Sequence, residues 1–442
     1  MDFITAGLLC VGLLLLLMFL GMPIALSFLL CGFVCSFLMG SLNSALSVLG
    51  SSLYHTIEGP TWVAIPLFIF MGGLGSIGAF AQRAYESMSV LTARLPGGLG
   101  IATCYSCAAF GAISGSSLAV TAIFGRLAMP EMLRYGYDKG FGAACICAAG
   151  TFSAMIPPSV MFIVYALFTQ SSVGKLFAAG IVPGIMTACV YAVYISYKAW
   201  KRPDLIPSTA AKVASMTPKE RKQRVIGIWP VLIIAACILG GIYGGIFTST
   251  EAAAAGSLLV LVLGVWLKDI KSPKDVYAEM KASASATSML FLINVGALYY
   301  SRILATTGLP TELTMLLHKM DMPGFVVMGG ILLLMFFLGM IMVPIGIYAL
   351  TLPIVVPILN SYGFDIIWFG VLALKMTEIG CITPPVGLNV FAMKGVLGKD
   401  TKLEDLFKGV MPFVGVELVT LGILWAFPSL SLWLPNLLFG AS

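Results

Sequence analysis

Apolar runs of about 16–20 residues recur from one end of this chain to the other, at least ten of them, and segments of that length match the hydrocarbon core of a bilayer. A 442-residue chain so built folds in lipid, and its apolar segments are the fold itself and not an anchor for something else. Composition agrees: 59% of residues are hydrophobic and 10% charged, where a soluble domain carries about 25% charged residues. The longest polar stretch, Lys198 to Arg224, is too short to bury a core of its own. A separate soluble catalytic domain is therefore excluded. The first run, Phe3–Leu20, has no basic residue ahead of it and reads as a retained span, not a cleaved leader. All ten cysteines lie in or beside apolar runs, Cys104-x-x-Cys107 included, so neither a disulfide framework nor a transition-metal site is expected.

With the N-terminus outside, crossings are expected at 3–20, 24–40, 60–82, 139–170, 176–197, 227–245, 250–267, 283–303, 365–393 and 407–434. Two further apolar stretches, 98–130 and 325–360, are interrupted by Gly, Ser or Pro. Each is expected to enter and return on one side, because an arm of about 16 residues rises roughly 24 Å, short of the ~30 Å hydrocarbon core. On this scheme 21 of the 25 basic residues fall on the cytoplasmic side, as the positive-inside rule requires. Reading either hairpin as a single crossing destroys that asymmetry. Both termini are then expected in the periplasm.

The chain also repeats. At a shift of 227, Pro96-Gly97 falls on Pro323-Gly324, Pro130 on Pro357, Tyr135–Asp138 on Tyr362–Asp365 and Pro157-Pro158 on Pro384-Pro385. Five crossings per half is an odd number, so the second half should be inverted. The expected fold class is an all-α polytopic membrane protein, an inverted repeat of two five-span halves, each with one re-entrant hairpin and one interrupted helix. The halves would be 1–200 and 227–434, joined by a basic linker at 201–226 and followed by a tail at 435–442. Interrupted helices in inverted repeats are where secondary transporters bind ions and substrate. Leu42–Ile57 and Lys274–Ala282 occupy matching places and are polar enough to lie along the interface as braces, or to be plain loops.

Non-helical backbone survives at membrane depth only where protein or water surrounds it, which makes the breaks the candidate sites. In the first half these are the tip Gly111–Ser117 and the segment Gly150–Ser159. Ser114, Ser116 and Ser117 offer hydroxyls, Gly115 allows close backbone approach, and Pro157-Pro158 frees carbonyls around Gly150–Ser153. Hydroxyl and carbonyl oxygens without a carboxylate suit Na⁺. The alternative is that the small residues pack helices and the prolines only kink them. In the second half the tip Gly339–Gly346 has no serine. An ion there must rely on carbonyls at Gly339, Val343, Pro344 and Gly346 with Gly380, Thr383 and Glu378. Half-helix N-termini at Ser116-Ser117 and Pro385–Asn389 offer a positive dipole end to an anion. The substrate region is accordingly read as Gly115, Ser116, Pro157, Pro158, Ser159, Glu378, Pro384, Pro385 and Asn389.

Lys375 and Glu378 are ionisable, deep in a span and three residues apart. They are either functional or a mutually neutralising pair. Glu417 reads as structural, and Glu251 as the cap of a helix N-terminus. The only histidines, His55 and His318, fall near the outer interface. No His-x-Glu cluster, Gly-x-Ser-x-Gly elbow or phosphate loop of the Gly-x-x-x-x-Gly-Lys type occurs, so the chain is expected to be neither an enzyme nor an ATPase. A membrane-embedded enzyme is the rival of another class, a stand-alone carboxylate carrier the nearer one.

Five motifs in order, Gly21-Met22-Pro23-Ile24-Ala25, Gly111–Ser117, Ile156–Ser159, Gly244–Ala253 and Glu378–Gly387, resemble the large membrane subunit of tripartite ATP-independent periplasmic (TRAP) transporters over nearly the whole chain. The resemblance implies a bacterial inner-membrane importer working as an elevator on a Na⁺ gradient, with no other cofactor. It implies two partners, a small four-span membrane subunit, here expected as a separate chain, and a periplasmic binding protein that captures organic acids such as C4-dicarboxylates or sialic acids. It also implies a first Na⁺ site at Ser114, Ser116, Ser117, Gly150 and Ser153 and a second at the 339–346 tip with Gly380 and Thr383. No nucleic acid is implied as a partner.

Overall fold

A computed structural model describes residues 3–209, 216–398 and 401–440. Every regular element among them is helical. The first part of the chain holds α1 (Phe3–Phe19), α2 (Ile24–Met39), α3 (Leu42–Ile57), a short 3-10 turn at Pro60–Val63, α4 (Ala64–Ile77) and α5 (Phe80–Leu91). Two helix pairs follow, α6 (Gly98–Ser114) with α7 (Ser117–Arg134), and α8 (Lys139–Ser153) with α9 (Val160–Thr169), before the long α10 (Val173–Lys201). Beyond the linker come α11 (Pro218–Ile226), α12 (Trp229–Tyr243), α13 (Ser249–Trp266), α14 (Pro273–Thr306) and α15 (Leu309–Lys319). Then α16 (Gly324–Gly339) pairs with α17 (Pro344–Ser361), α18 (Ile366–Gly380) with α19 (Leu388–Leu397), and the chain closes with α20 (Leu403–Ala426) and α21 (Ser429–Phe439).

The helix boundaries have local causes. Hydroxyl or carboxylate side chains accept from the first-turn N–H groups at Ser116, Asp138, Ser159, Ser172 and Asp365, which supplies partners to groups that hydrocarbon would leave bare. Glu251 does cap, as its sequence context suggests. Thr248 and Glu251 form a capping box in which Thr248 N–H donates to Glu251 Oε2 at 2.8 Å. Thr248→Ala should remove about 1 kcal/mol of local helix stability, read as faster amide exchange over the first turn of α13. Equal exchange rates in the two proteins would show the cap to be redundant.

Six spans among the described residues are long and apolar enough to cross a membrane, five of them single helices (α10, α13, α14, α17 and α20) and the sixth α11 running on into α12, or seven if α4 and α5 count as one bent span. The other expected crossings use shorter apolar helices of 10–17 residues. One of the six is α17, the return arm of the expected second hairpin, which reaches 18 residues.

Several expected boundaries need correction. The 60–82 crossing ends at Ile77, where the chain bends 62° through Gly78 and Ala79 into α5. Arg83 holds that bend to the loop after α13 through two 3.0 Å hydrogen bonds to Asp269. Lys274–Ala282 is not a separate brace. It is continuous with the following span in the 34-residue α14, since no Gly or Pro stands between Lys274 and Met289, whereas Gly59-Pro60 separates α3 from α4. The last crossing, expected at 407–434, stops at Ala426, before Pro428, and residues of the expected tail belong to α21.

Corresponding helices of the two parts begin at nearly constant spacing. Gly98 pairs with Gly324, Ser117 with Pro344, Lys139 with Ile366 and Val160 with Leu388, offsets of 226 to 228 residues. The core gathers on α8 and α18, whose residues from Phe141 to Ser153 and from Trp368 to Gly380 are all buried. The two interrupted helices are thus enclosed by protein along their first segments, which is the condition for breaking a helix at that depth.

Candidate functional site

Each interrupted helix packs its break against a hairpin tip, and glycines make that approach possible. In the first part α6 ends at Ser114, and Gly115 turns the chain at φ 62° before Ser116 starts α7. A Cβ at Gly111 would lie 2.6 Å from the Ser153 carbonyl oxygen, and one at Gly115 would lie 2.9 Å from the Pro158 carbonyl oxygen. One at Gly150 would meet the Thr121 hydroxyl at 2.0 Å and the Ser117 carbonyl oxygen at 3.1 Å. In the second part α16 ends at Gly339, where a Cβ would stand 2.9 Å from the Thr377 carbonyl oxygen. One at Gly380 would be 2.6 Å from the Gly339 backbone. The Val386 N–H donates to the Met340 carbonyl at 3.2 Å, tying break to tip.

The two assemblies meet across one cavity of about 550 Å³. Ser114, Ser116 and Ser117 line it from the first tip, Val343 and Pro344 from the second, and Glu378 and Cys381 from the second interrupted helix. Ser117 Oγ donates to Glu378 Oε1 at 3.1 Å, a bond between residues 261 positions apart. Glu378 is 2% exposed, and its Oε2 has no partner.

Of the residues expected at the first ion site, the three serines line the cavity, while Gly150 and Ser153 sit behind the tip against Ser117 and Gly111. Ser153 Oγ is committed to the Gly150 carbonyl at 2.6 Å. At the second, Gly339 and Gly380 are in contact. Thr383 donates within its own turn to Ile379, and Gly346 packs toward Ile24 of α2 and away from the break. Of the expected substrate region only Ser116 and Glu378 line the cavity. Gly115, Pro157, Pro158, Ser159, Pro384, Pro385 and Asn389 do not. Ser159 caps α9, and the Asn389 side chain is buried with neither amide atom partnered.

Lys375 and Glu378 do not neutralise each other. Lys375 pairs with Glu417 of α20 and donates to Thr187 Oγ1 at 2.8 Å, while Tyr191 donates its hydroxyl to Glu417. Three apart on one helix, Lys375 and Glu378 reach different neighbours, the former toward α10 and α20, the latter toward the first tip. Sequence reasoning missed Thr121, Thr187 and Tyr191. Thr121 follows Ser117 by one helical turn, a spacing that puts both on one face, and its hydroxyl is buried and unpartnered. The described residues hold no cluster of three metal-ligating side chains.

Apolar helices, two of them interrupted and packed against hairpin tips around one shared cavity, define a polytopic membrane protein. The fold is similar to the solved YdaH transporter of Alcanivorax borkumensis, with a TM-score of 0.65 over 89% of this chain and 90% of that one at 12% identity. Residues 11–430 match the model of the tripartite ATP-independent periplasmic transporter DctM component. The chain belongs to that family and is a large permease subunit, not an enzyme. It is 33% identical to the C4-dicarboxylate TRAP transporter large permease protein of Vibrio cholerae, covering 96% of each chain. It is 34% identical to that of Pseudomonas aeruginosa, covering 88% of this chain and 89% of the relative.

Proposed function

We propose that this chain is the transport pathway of a Na⁺-coupled importer of small organic anions in a bacterial inner membrane. A periplasmic binding protein supplies it, a small four-span membrane subunit accompanies it, and it works as an elevator. The observation that carries this reading is the joining of both tip-and-break assemblies at one cavity through Ser117 and Glu378. Carbonyls at Ser114, Ser117, Gly150 and Ser153, with the Thr121 and Ser116 hydroxyls, form the first Na⁺ site. Carbonyls around Gly339, Val343 and Thr377 with Gly380 and Thr383 form the second. The halves are related by inversion, with both termini in the periplasm. Substrate is a carboxylate-class anion, by likeness to the C4-dicarboxylate relatives.

An anion entering a cavity lined by Glu378 meets a buried carboxylate. Cations bound at the tips offset that charge, which gives a physical reason for coupling. The test is uptake into proteoliposomes holding this chain with its small subunit, fed by loaded binding protein, with Na⁺ gradients replaced by choline. Uptake that depends on Na⁺ and fails without binding protein supports the reading, and uptake indifferent to Na⁺ removes it. Ser116→Ala and Thr121→Ala, which remove the two hydroxyls assigned to the first site, are each expected to raise half-saturating Na⁺ roughly tenfold, the scale of one lost polar contact to a charged group. Unchanged Na⁺ dependence in both variants would move the ion elsewhere.

A further inference from the structure

A second cavity of about 490 Å³ lies between the start of α8, the end of α10 and the start of α20, and no transport step uses it. Four lysines line it, Lys139, Lys198, Lys402 and Lys408, with Asp138 and Asp405 as the acidic counterparts. Asp138 is already occupied, since its Oδ1 accepts the Phe141 N–H at 2.8 Å to cap α8. None of the four lysines has an ion-pair partner among the described residues. The lining therefore carries a net charge of +2 with its cations uncommitted. Two helix N-termini point the same way, and that of α20 has no side-chain cap. Thr401, also lining the cavity, is 7% exposed with a hydroxyl that has no partner.

We propose that this cavity holds the phosphate group of an anionic glycerophospholipid. Convergent ammonium groups, free first-turn N–H groups and an unsatisfied hydroxyl suit phosphate oxygens. The surroundings favour a lipid over a soluble phosphate. Tyr197 and Trp200, both well exposed, flank Lys198 on α10 and mark the level of the headgroups. The same two helices also carry exposed apolar side chains for acyl chains to cover, Val193 on α10 and Met411 and Val419 on α20. All four lysines also fall in segments that the positive-inside pattern assigns to the cytoplasmic leaflet, where basic pockets between helices recognise anionic headgroups.

The test is the thermal unfolding midpoint of the purified full-length protein, titrated separately with short-chain phosphatidylglycerol, phosphatidylcholine of the same chain length, and inorganic phosphate. The assay contains no substrate, so its outcome is separate from that of the transport reading. Phosphatidylglycerol is expected to raise the midpoint in a saturable way, and the other two are not. Lys402→Gln and Lys408→Gln, both exposed positions whose loss the fold tolerates, should each weaken the half-saturating concentration about fivefold, the scale of one basic side chain near an anionic leaflet. Lys271→Gln, outside the cavity, should leave it unchanged. Equal phosphatidylglycerol response in the lysine variants and the parent overturns the site. Protection by inorganic phosphate matching that of the lipid overturns the lipid as its occupant.

Discussion

Gly380→Ala is expected to lower uptake by roughly tenfold or more, from the 1–3 kcal/mol that overpacking costs at a tight contact, while the protein still inserts and purifies as a single species. The added methyl would stand 2.6 Å from the Gly339 carbonyl carbon and Cα, backbone atoms of the second tip that cannot swing aside. A flexible side chain at that distance would move at little cost. Here the tip itself must retreat from the interrupted helix. Retreat separates the carbonyls assigned to the second ion site, so half-saturating Na⁺ should rise along with the fall in rate. Gly330→Ala, on the same α16 but with nothing within 4 Å of the new carbon, is the control and should transport like the parent. Uptake and Na⁺ dependence are measured in the proteoliposome assay. Parent-like values for Gly380→Ala would mean that tip and break need not touch during transport.

The break points were legible because their causes are local. Gly115 with its flanking serines, Gly339, and the two Pro-Pro pairs each interrupt a helix on their own account, and the observed ends at Ser114, Ser153, Gly339 and Gly380 fall within the segments read as broken. Long-range partners were not legible. A three-residue spacing correctly puts Lys375 and Glu378 near one helical face, but it cannot tell which neighbouring helix each side chain meets. Glu378 finds a serine 261 residues earlier and Lys375 a glutamate on α20. The continuity of α14 was missed for a different reason. Its first turns are polar enough to suggest a separate element, yet Ala-Ser-Ala-Ser-Ala at 282–286 contains no residue that ends a helix. The sequence-derived site was too broad for a related cause. Proline and glycine mark where a helix stops, while the residues facing the cavity are set by how the two tips meet.

Glu417→Leu alone and Lys375→Met alone are each expected to destabilise the protein severely, by about 3–5 kcal/mol, because either leaves an uncompensated charge in a dry interior. Lys375 is 1% exposed and Glu417 likewise 1%, so neither survivor can reach water by changing rotamer. The partners left behind share the loss: without Glu417 the Tyr191 hydroxyl loses its acceptor, and without Lys375 the Thr187 hydroxyl loses its donor. The double variant Lys375→Met/Glu417→Leu removes both charges and should recover much of the yield and melting temperature of the parent, since apolar pairs replace buried ion pairs at little or no cost. Transport by the double variant then separates two roles. The pair joins α18 to α20, and Tyr191 and Thr187 add α10 to the same network, so it binds the second interrupted helix to the helices beside it as one body. If that is its whole contribution, the refolded double variant transports with parent-like Na⁺ dependence. A stable double variant that binds Na⁺ as the parent does but no longer transports would instead give the charges a part in the movement itself.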